Sequence, residues 1–215
     1  MTIVDNDDPT TLVRRGYDAV SHRYRRDDDY PDEYRPWLAT LHQRLPVPAD
    51  VLDLGCGCGI PVAKTLTQRG HRVTGVDLSD VQITRARHLV PHATFWRADA
   101  TQIGFPDRVF DAVVCLYTLI HLPLDSQPRL ISRIASWLRP GGWLLATTGA
   151  QAWTGTQDNW LGSTTTMWWS HADATTYHAW ITRAGLHIQS EHFVPEADSG
   201  HHLFWARKPV DPPPP

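Results

Sequence analysis

The sequence predicts an α/β protein with a doubly wound sheet of seven strands, five parallel and two forming a C-terminal antiparallel pair. Three observations carry that prediction. Between residues 50 and 149 short apolar segments alternate with amphipathic ones, the rhythm of right-handed strand–helix–strand crossovers. The segment Phe110 to Leu116 is almost continuously apolar, as a strand covered on both faces must be. And Val51-Leu52-Asp53-Leu54 runs straight into glycines at 55, 57 and 59, a backbone able to approach a ligand closely.

Each element follows in order. Residues 1–9 are polar and acidic and read as a disordered tail. A helix is expected from Thr11, with Leu12, Val13, Tyr17, Val20 and Tyr24 on one side. A second is expected after Pro31, through Trp37, Leu38, Leu41 and Leu45. The first strand, Val51–Leu54, precedes the glycine turn and a helix from about Pro61 to Gly70. Val73–Val76 is the second strand, ending at Asp77, and Ser79 caps the helix after it. Thr94–Ala98 and Phe110–Leu116 are strands three and four. A helix over Gln127–Leu138 stops at Pro140-Gly141-Gly142, and Trp143–Thr147 is strand five. Residues 151–172, rich in Trp, Thr and Gly, read as a compact loop or short-helix insertion. A helix over Asp173–Ala184 ends at Gly185. Strands near 186–194 and 202–208 flank the turn-forming Pro195–Gly200, and 209–215 is a proline-rich, unstructured tail. The result is a single domain over 10–208, without repeats or an interdomain linker.

The whole chain narrows the function. Its 215 residues suffice for one well-formed core. The formal charge of −3 provides no basic field for a nucleic-acid backbone. No apolar run approaches the roughly 20 residues needed to span a bilayer, and the acidic start is unlike a secretory signal. A cytoplasmic protein with reduced thiols is expected. Cys56 and Cys58 have no further ligands at zinc-like spacing, so no metal is expected.

A dinucleotide-binding turn requires G-x-G-x-x-G, and Ile60 stands where its third glycine would fall. The run Asp53-Leu54-Gly55-Cys56-Gly57-Cys58-Gly59 instead resembles the first motif of the class I S-adenosylmethionine-dependent methyltransferases of the small-molecule type. The resemblance extends over about residues 10–208. Asp77, closing Val-Thr-Gly-Val-Asp-Leu-Ser, matches the acidic residue that grips both ribose hydroxyls, and Asp99 matches the acceptor for the adenine amino group. Phe110–Val114 and Leu138–Gly142 match the fourth strand and the turn before the fifth. The resemblance implies a Rossmann-like fold and binding of S-adenosyl-L-methionine, with S-adenosyl-L-homocysteine as product. Asp53, Gly55, Cys56, Gly57, Gly59, Asp77, Leu78, Asp99, Ala100 and Leu116 would contact that cofactor. It also makes residues 10–46 lid helices over a cofactor-binding core at 50–149. Tyr17 and Tyr24 would reach the methionine end.

In open α/β sheets the site lies beyond the carboxyl ends of the strands. His121 after strand four and His171 after the insertion are therefore the candidate bases, titrating near neutrality. Each has a plainer reading, His121 as a pocket liner and His171 as part of a helix cap. Tyr117, Trp160, Trp168 and Trp169 are the candidate wall for a flat or apolar acceptor, although core packing also accounts for tryptophans there. The expected reaction is O- or N-methylation of a small molecule, in secondary metabolism, by a monomer or homodimer. No Asn/Asp-Pro-Pro-aromatic tetrad is present, which argues against methylation of DNA bases. Cyclisation or rearrangement of a bound substrate, and cofactor binding without catalysis, are the alternatives.

Overall fold

The computed structural model describes residues 8–196 and 199–212. Two helices lead: α1 (Pro9–Tyr24) and α2 (Tyr34–Arg44). The first begins earlier than its apolar stripe indicates. Asp8 accepts hydrogen bonds from the amides of Thr10 and Thr11, and Pro9 fills the first turn where no N–H is needed. Asp8 and Pro9 thus leave the expected tail, whose residues 1–7 lie outside the described residues.

The alternating unit follows as β1 (Asp50–Leu54), α3 (Val62–Gln68), β2 (Arg72–Asp77), α4 (Asp80–Leu89), β3 (Thr94–Arg97), β4 (Phe110–Cys115), α5 (Gln127–Trp137) and β5 (Leu138–Gly149). Strand five starts before Trp143 because Leu138 already pairs with Phe110. The register then shifts across Pro140-Gly141-Gly142 to Ala112–Trp143. Next come β6 (Trp153–Gln157), β7 (Met167–His171), α6 (Ala174–Arg183), β8 (His187–Glu196) and β9 (Ser199–Arg207). The main sheet has seven strands in the order β3-β2-β1-β4-β5-β9-β8, with the first five parallel and β9 antiparallel to both neighbours. In the turn joining β8 to β9, Ala197 and Asp198 lie outside the described residues.

Both faces of the sheet are covered, which is why β1 and β4 are mostly apolar, broken only by Asp50, Asp53 and Asp111. Val51 and Val114 face a core with Leu38, Leu41, Leu66 and Ile83 from α2, α3 and α4. Leu52, Leu54 and Val113 face the other, with Ile131, Ile134 and Tyr177 from α5 and α6.

The 151–172 insertion is a β-hairpin rather than a loop or short helix. Trp153 pairs with His171 and Gln157 with Met167, and only a short 3₁₀ turn at Trp160–Gly162 lies between. Its strand β6 is exposed along most of its length, so the inside–outside alternation that marks a half-buried strand is missing. The hairpin packs on α1, where Val13 and Val20 meet Trp160 and Met167 in a third apolar cluster. Within the expected proline-rich tail, Asp211 pairs with Arg108 at 2.8 Å; residues 213–215 lie outside the described residues.

Candidate active site

The carboxyl ends of the parallel strands open onto a cavity that is partly continuous with solvent. Its walls come from the ends of β1, β2 and β4 and from α1, which lies across the top. Tyr17, Tyr24, Gly55, Gly57, Asp77, Leu78, Asp99, Ala100, Leu116, Tyr117 and His121, eleven of the residues expected at the site, line it. A smaller adjoining cavity is lined by Asp53 and Cys56 together with Tyr24, Arg25 and Tyr34.

The glycine turn is shaped by close approach. Gly55 has φ +79°, and a Cβ there would lie 1.8 Å from Thr118 Oγ1, so no side chain fits. Gly57 has φ +53° and open space on its Cβ side. Its amide donates to Asp77 Oδ2 at 2.9 Å, and the Ser79 amide donates to Oδ1 at 2.9 Å. Asp77 therefore ties the turn to the start of α4 and keeps lone pairs on both oxygens for further donors. Burial pushes its pKa up, against those two amides. Asp99 accepts from the Thr101 amide and hydroxyl through Oδ1, which leaves Oδ2 unengaged. Gly59 stands behind the turn, its carbonyl accepting the Lys64 amide of α3, and lines neither cavity.

Beside this turn lie two groups suited to an amino-acid end. Asp53 is 3% exposed and its Oδ2 has no partner; burial, then the charge of Asp77, raises its pKa to about 8. Arg25, one residue beyond Tyr24, lines the same small cavity between the rings of Tyr24 and Tyr34, each 5.5 Å away, with its Nε unpartnered. An orphaned buried carboxyl and a guanidinium beside an open glycine turn fit a zwitterionic amino-acid group, as S-adenosylmethionine carries.

On the far side, Tyr17 Oη lies 2.9 Å from His121 Nε2, and His121 Nδ1 lies 3.0 Å from the carbonyl oxygen of Trp168. A carbonyl only accepts, so Nδ1 carries the proton and the neutral ring presents a lone pair at Nε2 to the Tyr17 hydroxyl. Burial holds the His121 pKa down to about 4, opposed by the Trp168 bond. Gln127 anchors the hairpin behind this chain by donating to the carbonyls of Leu122 and Ser170.

The two histidines are not equivalent. His171 donates from Nδ1 to the Gln151 carbonyl, its ring lies against Gly149, and it does not line the cavity. Trp160, Trp168 and Trp169 also stand outside the cavity wall. Trp160 and Trp169 back it through ring contacts, Trp160 on Tyr17 at 5.2 Å and Trp169 on His121 at 4.3 Å. Tyr117 does reach the cavity, on a backbone with φ +56° that is strained for a tyrosine. Arg25, Thr118 and Gln82 are wall residues that sequence reasoning missed. The one signal available was the adjacency of Arg25 to Tyr24.

Among the described residues no cluster of three or more His, Cys, Asp or Glu is placed to hold a metal ion, and no helix is long and apolar enough to cross a membrane. Cys56, Cys58 and Cys115 are buried thiols whose pKa values are all raised, first by burial.

Comparison with known proteins agrees with the geometry. A family model described as a methyltransferase domain matches residues 23–191. The 27-O-demethylrifamycin SV methyltransferase of Amycolatopsis mediterranei is 37% identical over 60% of this chain and 55% of its own length. This chain thus spans about half the length of that relative. The fold matches the 1,6-didemethyltoxoflavin-N1-methyltransferase of Burkholderia thailandensis with a TM-score of 0.71, at 22% identity over 98% of this chain and 94% of that one. It matches magnesium protoporphyrin IX methyltransferase from Synechocystis with a TM-score of 0.72, at 20% identity over 95% and 99%. The sequence motifs, the seven-stranded sheet and the matched domain agree, and the chain belongs to the class I S-adenosylmethionine-dependent methyltransferases.

Proposed function

We propose that the protein transfers a methyl group from S-adenosylmethionine to an oxygen or nitrogen of a small acceptor, with His121 taking the acceptor's proton through Tyr17. The cofactor supplies a methyl made electrophilic by its sulfonium. Asp77 would hold the ribose, Asp99 the adenine amino group, and Asp53 and Arg25 the ammonium and carboxylate of the methionine end. The chain's own task is alignment and proton removal. A neutral His121 keeps an open lone pair at Nε2, and Tyr17 relays to it because its hydroxyl is already donated there. As an O–H or N–H acceptor gains a methyl it becomes a strong acid, so a base with pKa near 4 suffices.

The observation that carries this reading is the Tyr17–His121–Trp168 chain, which joins α1, the loop after β4 and the hairpin at one point of the cavity wall. Trp160 and Trp169 support this reading by holding the rings of Tyr17 and His121 in place. The rifamycin-modifying relative supports a role in secondary metabolism. The net charge of −3 provides no basic field for a nucleic-acid backbone and so supports action on a free small molecule.

The test is formation of S-adenosylhomocysteine from S-adenosylmethionine with a panel of phenols, indoles and amines. Turnover should require an acceptor that gains the methyl. His121→Ala should lower kcat by about 10²–10⁴-fold with cofactor affinity unchanged. A His121→Ala protein with undiminished kcat would remove the base from the mechanism.

A further inference from the structure

Strand β7 brings two consecutive residues to His121 in different ways. The Trp168 carbonyl oxygen lies 3.0 Å from Nδ1, and the Trp169 indole lies against the ring itself, with centroids 4.3 Å apart and planes inclined by 37°. Tyr17, the other aromatic ring in contact with His121 among the described residues, meets it edge-on at 86°. The Trp169 indole N–H is buried and has no hydrogen-bond partner. A phenyl ring would fill much of the same space without that unpaired donor. What the indole adds is a more strongly negative face.

A base at His121 creates a charge that no anion meets. As the acceptor gains its methyl, it keeps the electron pair of its O–H or N–H bond and gives the proton to the Tyr17 oxygen. The Tyr17 proton passes to Nε2, so the buried ring becomes an imidazolium and Tyr17 remains a neutral phenol. The titratable groups facing the ring are Tyr17 from α1, His171 from β7 and His201 from β9; the two histidines disfavour the charge, as burial does. Among the described residues no carboxylate pairs with it. A buried charge without a counter-ion is costly, so the Trp168 carbonyl and the Trp169 face are what remains to stabilise it.

We infer that the indole face of Trp169 stabilises the imidazolium that His121 becomes, which makes Trp169 a positioning residue acting on proton removal through His121. A cation within about 6 Å of an indole centroid is attracted by the ring quadrupole, most strongly where water is excluded. The neutral imidazole gains little from the same contact, so the effect falls on the state formed during transfer and not on the resting one. The inference rests on His121 being the base.

An NMR titration of His121, in protein labelled with ¹³C at the imidazole Cε1, tests the contact without any acceptor. Trp169→Phe keeps a weaker π face and Trp169→Leu keeps none. The proton affinity of His121 should fall in the order Trp, Phe, Leu, by about three- to thirty-fold in Trp169→Leu. A ring that only packs predicts the opposite sign, because truncating it admits water and makes the buried imidazole easier to protonate. Unchanged or raised proton affinity in Trp169→Phe overturns the inference. Should Trp169→Leu not fold, tryptophan fluorinated on its six-membered ring, placed at position 169 alone, keeps the shape and weakens the face. Proton affinity should then fall with each added fluorine, and a flat series overturns the inference. With a phenol, indole or amine that the wild type methylates, kcat should fall about two- to tenfold in Trp169→Phe while KM for S-adenosylmethionine holds. If the proton affinity falls but His121→Ala keeps full kcat, the contact stands, the base reading fails, and the role of Trp169 in proton removal is overturned with it.

Discussion

The Tyr17 hydroxyl lies 2.9 Å from His121 Nε2, so the lone pair of the buried imidazole is reached through the lid helix and not directly from the cavity. This has a kinetic consequence. A free histidine would lose its basic form below its ordinary value of 6.5, whereas burial holds His121 down to about 4. The neutral ring is the active form, so kcat should stay level from pH 7.5 to 5.5 and fall only on approach to pH 4. Tyr17→Phe should lower kcat by about 10-fold or more, and the Tyr17→Phe/His121→Ala pair should lose little beyond His121→Ala alone. Additive losses would mean that the two side chains act independently.

Asp77 carries two structural bonds as well as its implied hold on the ribose. Asp77→Ala leaves the Gly57 and Ser79 amides without their acceptor. Calorimetry should show S-adenosylhomocysteine binding weakened by roughly 1.5–3 kcal/mol, together with a lower melting temperature. Unchanged affinity in a folded variant would end the ribose assignment.

Two glycines of one turn should respond differently. At Gly55 a methyl would meet Thr118 Oγ1 at 1.8 Å on a backbone with φ +79°, so Gly55→Ala should destabilise the fold by a few kcal/mol, about 2 or more. At Gly57 nothing lies within 4 Å of the added methyl. Gly57→Ala should cost only about 1 kcal/mol of stability while its methyl enters the space the cofactor needs. Urea denaturation and calorimetry on the two variants distinguish stability from binding.

Acid should unfold the protein through its buried neutral histidines. His121 is held down to about 4, and His71, also lowered by burial, accepts the Ala49 amide at Nδ1 and meets His42 through Nε2 at 2.9 Å. Between the folded values and 6.5 the unfolded chain binds protons that the folded chain does not, so stability is full above pH 6.5 and is lost as pH falls below it. For His121 the loss by pH 4 is on the order of 3 kcal/mol. Urea midpoints should fall from pH 7 to pH 4.5, and His121→Gln should flatten that slope. An equal slope in the variant would mean that His121 is not buried neutral.

The fold was legible where burial leaves a run: Val51–Leu54 and Phe110–Leu116 are apolar but for Asp53 and Asp111, because both faces of the sheet are covered. Most of the cavity wall was legible because a glycine turn and an aspartate at a strand end are local patterns. The hairpin was not, since Trp153–Gln157 is exposed on both sides and shows no alternation. Nor was the division of labour between His121 and His171, which depends on a tyrosine 104 residues away in the chain. Gln82 and Arg25 belong to no pattern; they become visible only when unpaired buried atoms are sought in three dimensions.

Trp160 tests whether the aromatic insertion supports the site or contacts the acceptor. It is 7% exposed and packs against Tyr17 at 5.2 Å, Tyr24 at 5.9 Å and Trp169 at 5.9 Å, in the cluster that joins α1 to the hairpin. A residue so enclosed serves the site by seating Tyr17. Trp160→Ala should therefore cost about 3–5 kcal/mol of stability through the cavity it leaves. It should also lower kcat, because Tyr17 loses the ring that fixes its hydroxyl against His121. Trp160→Phe keeps an edge for Tyr17 and should recover most of both. If Trp160 instead formed the acceptor wall, Trp160→Phe would raise KM for the methylated acceptor and leave the urea midpoint and kcat in place. Denaturation midpoints and steady-state kinetics on the same two variants decide between support and contact.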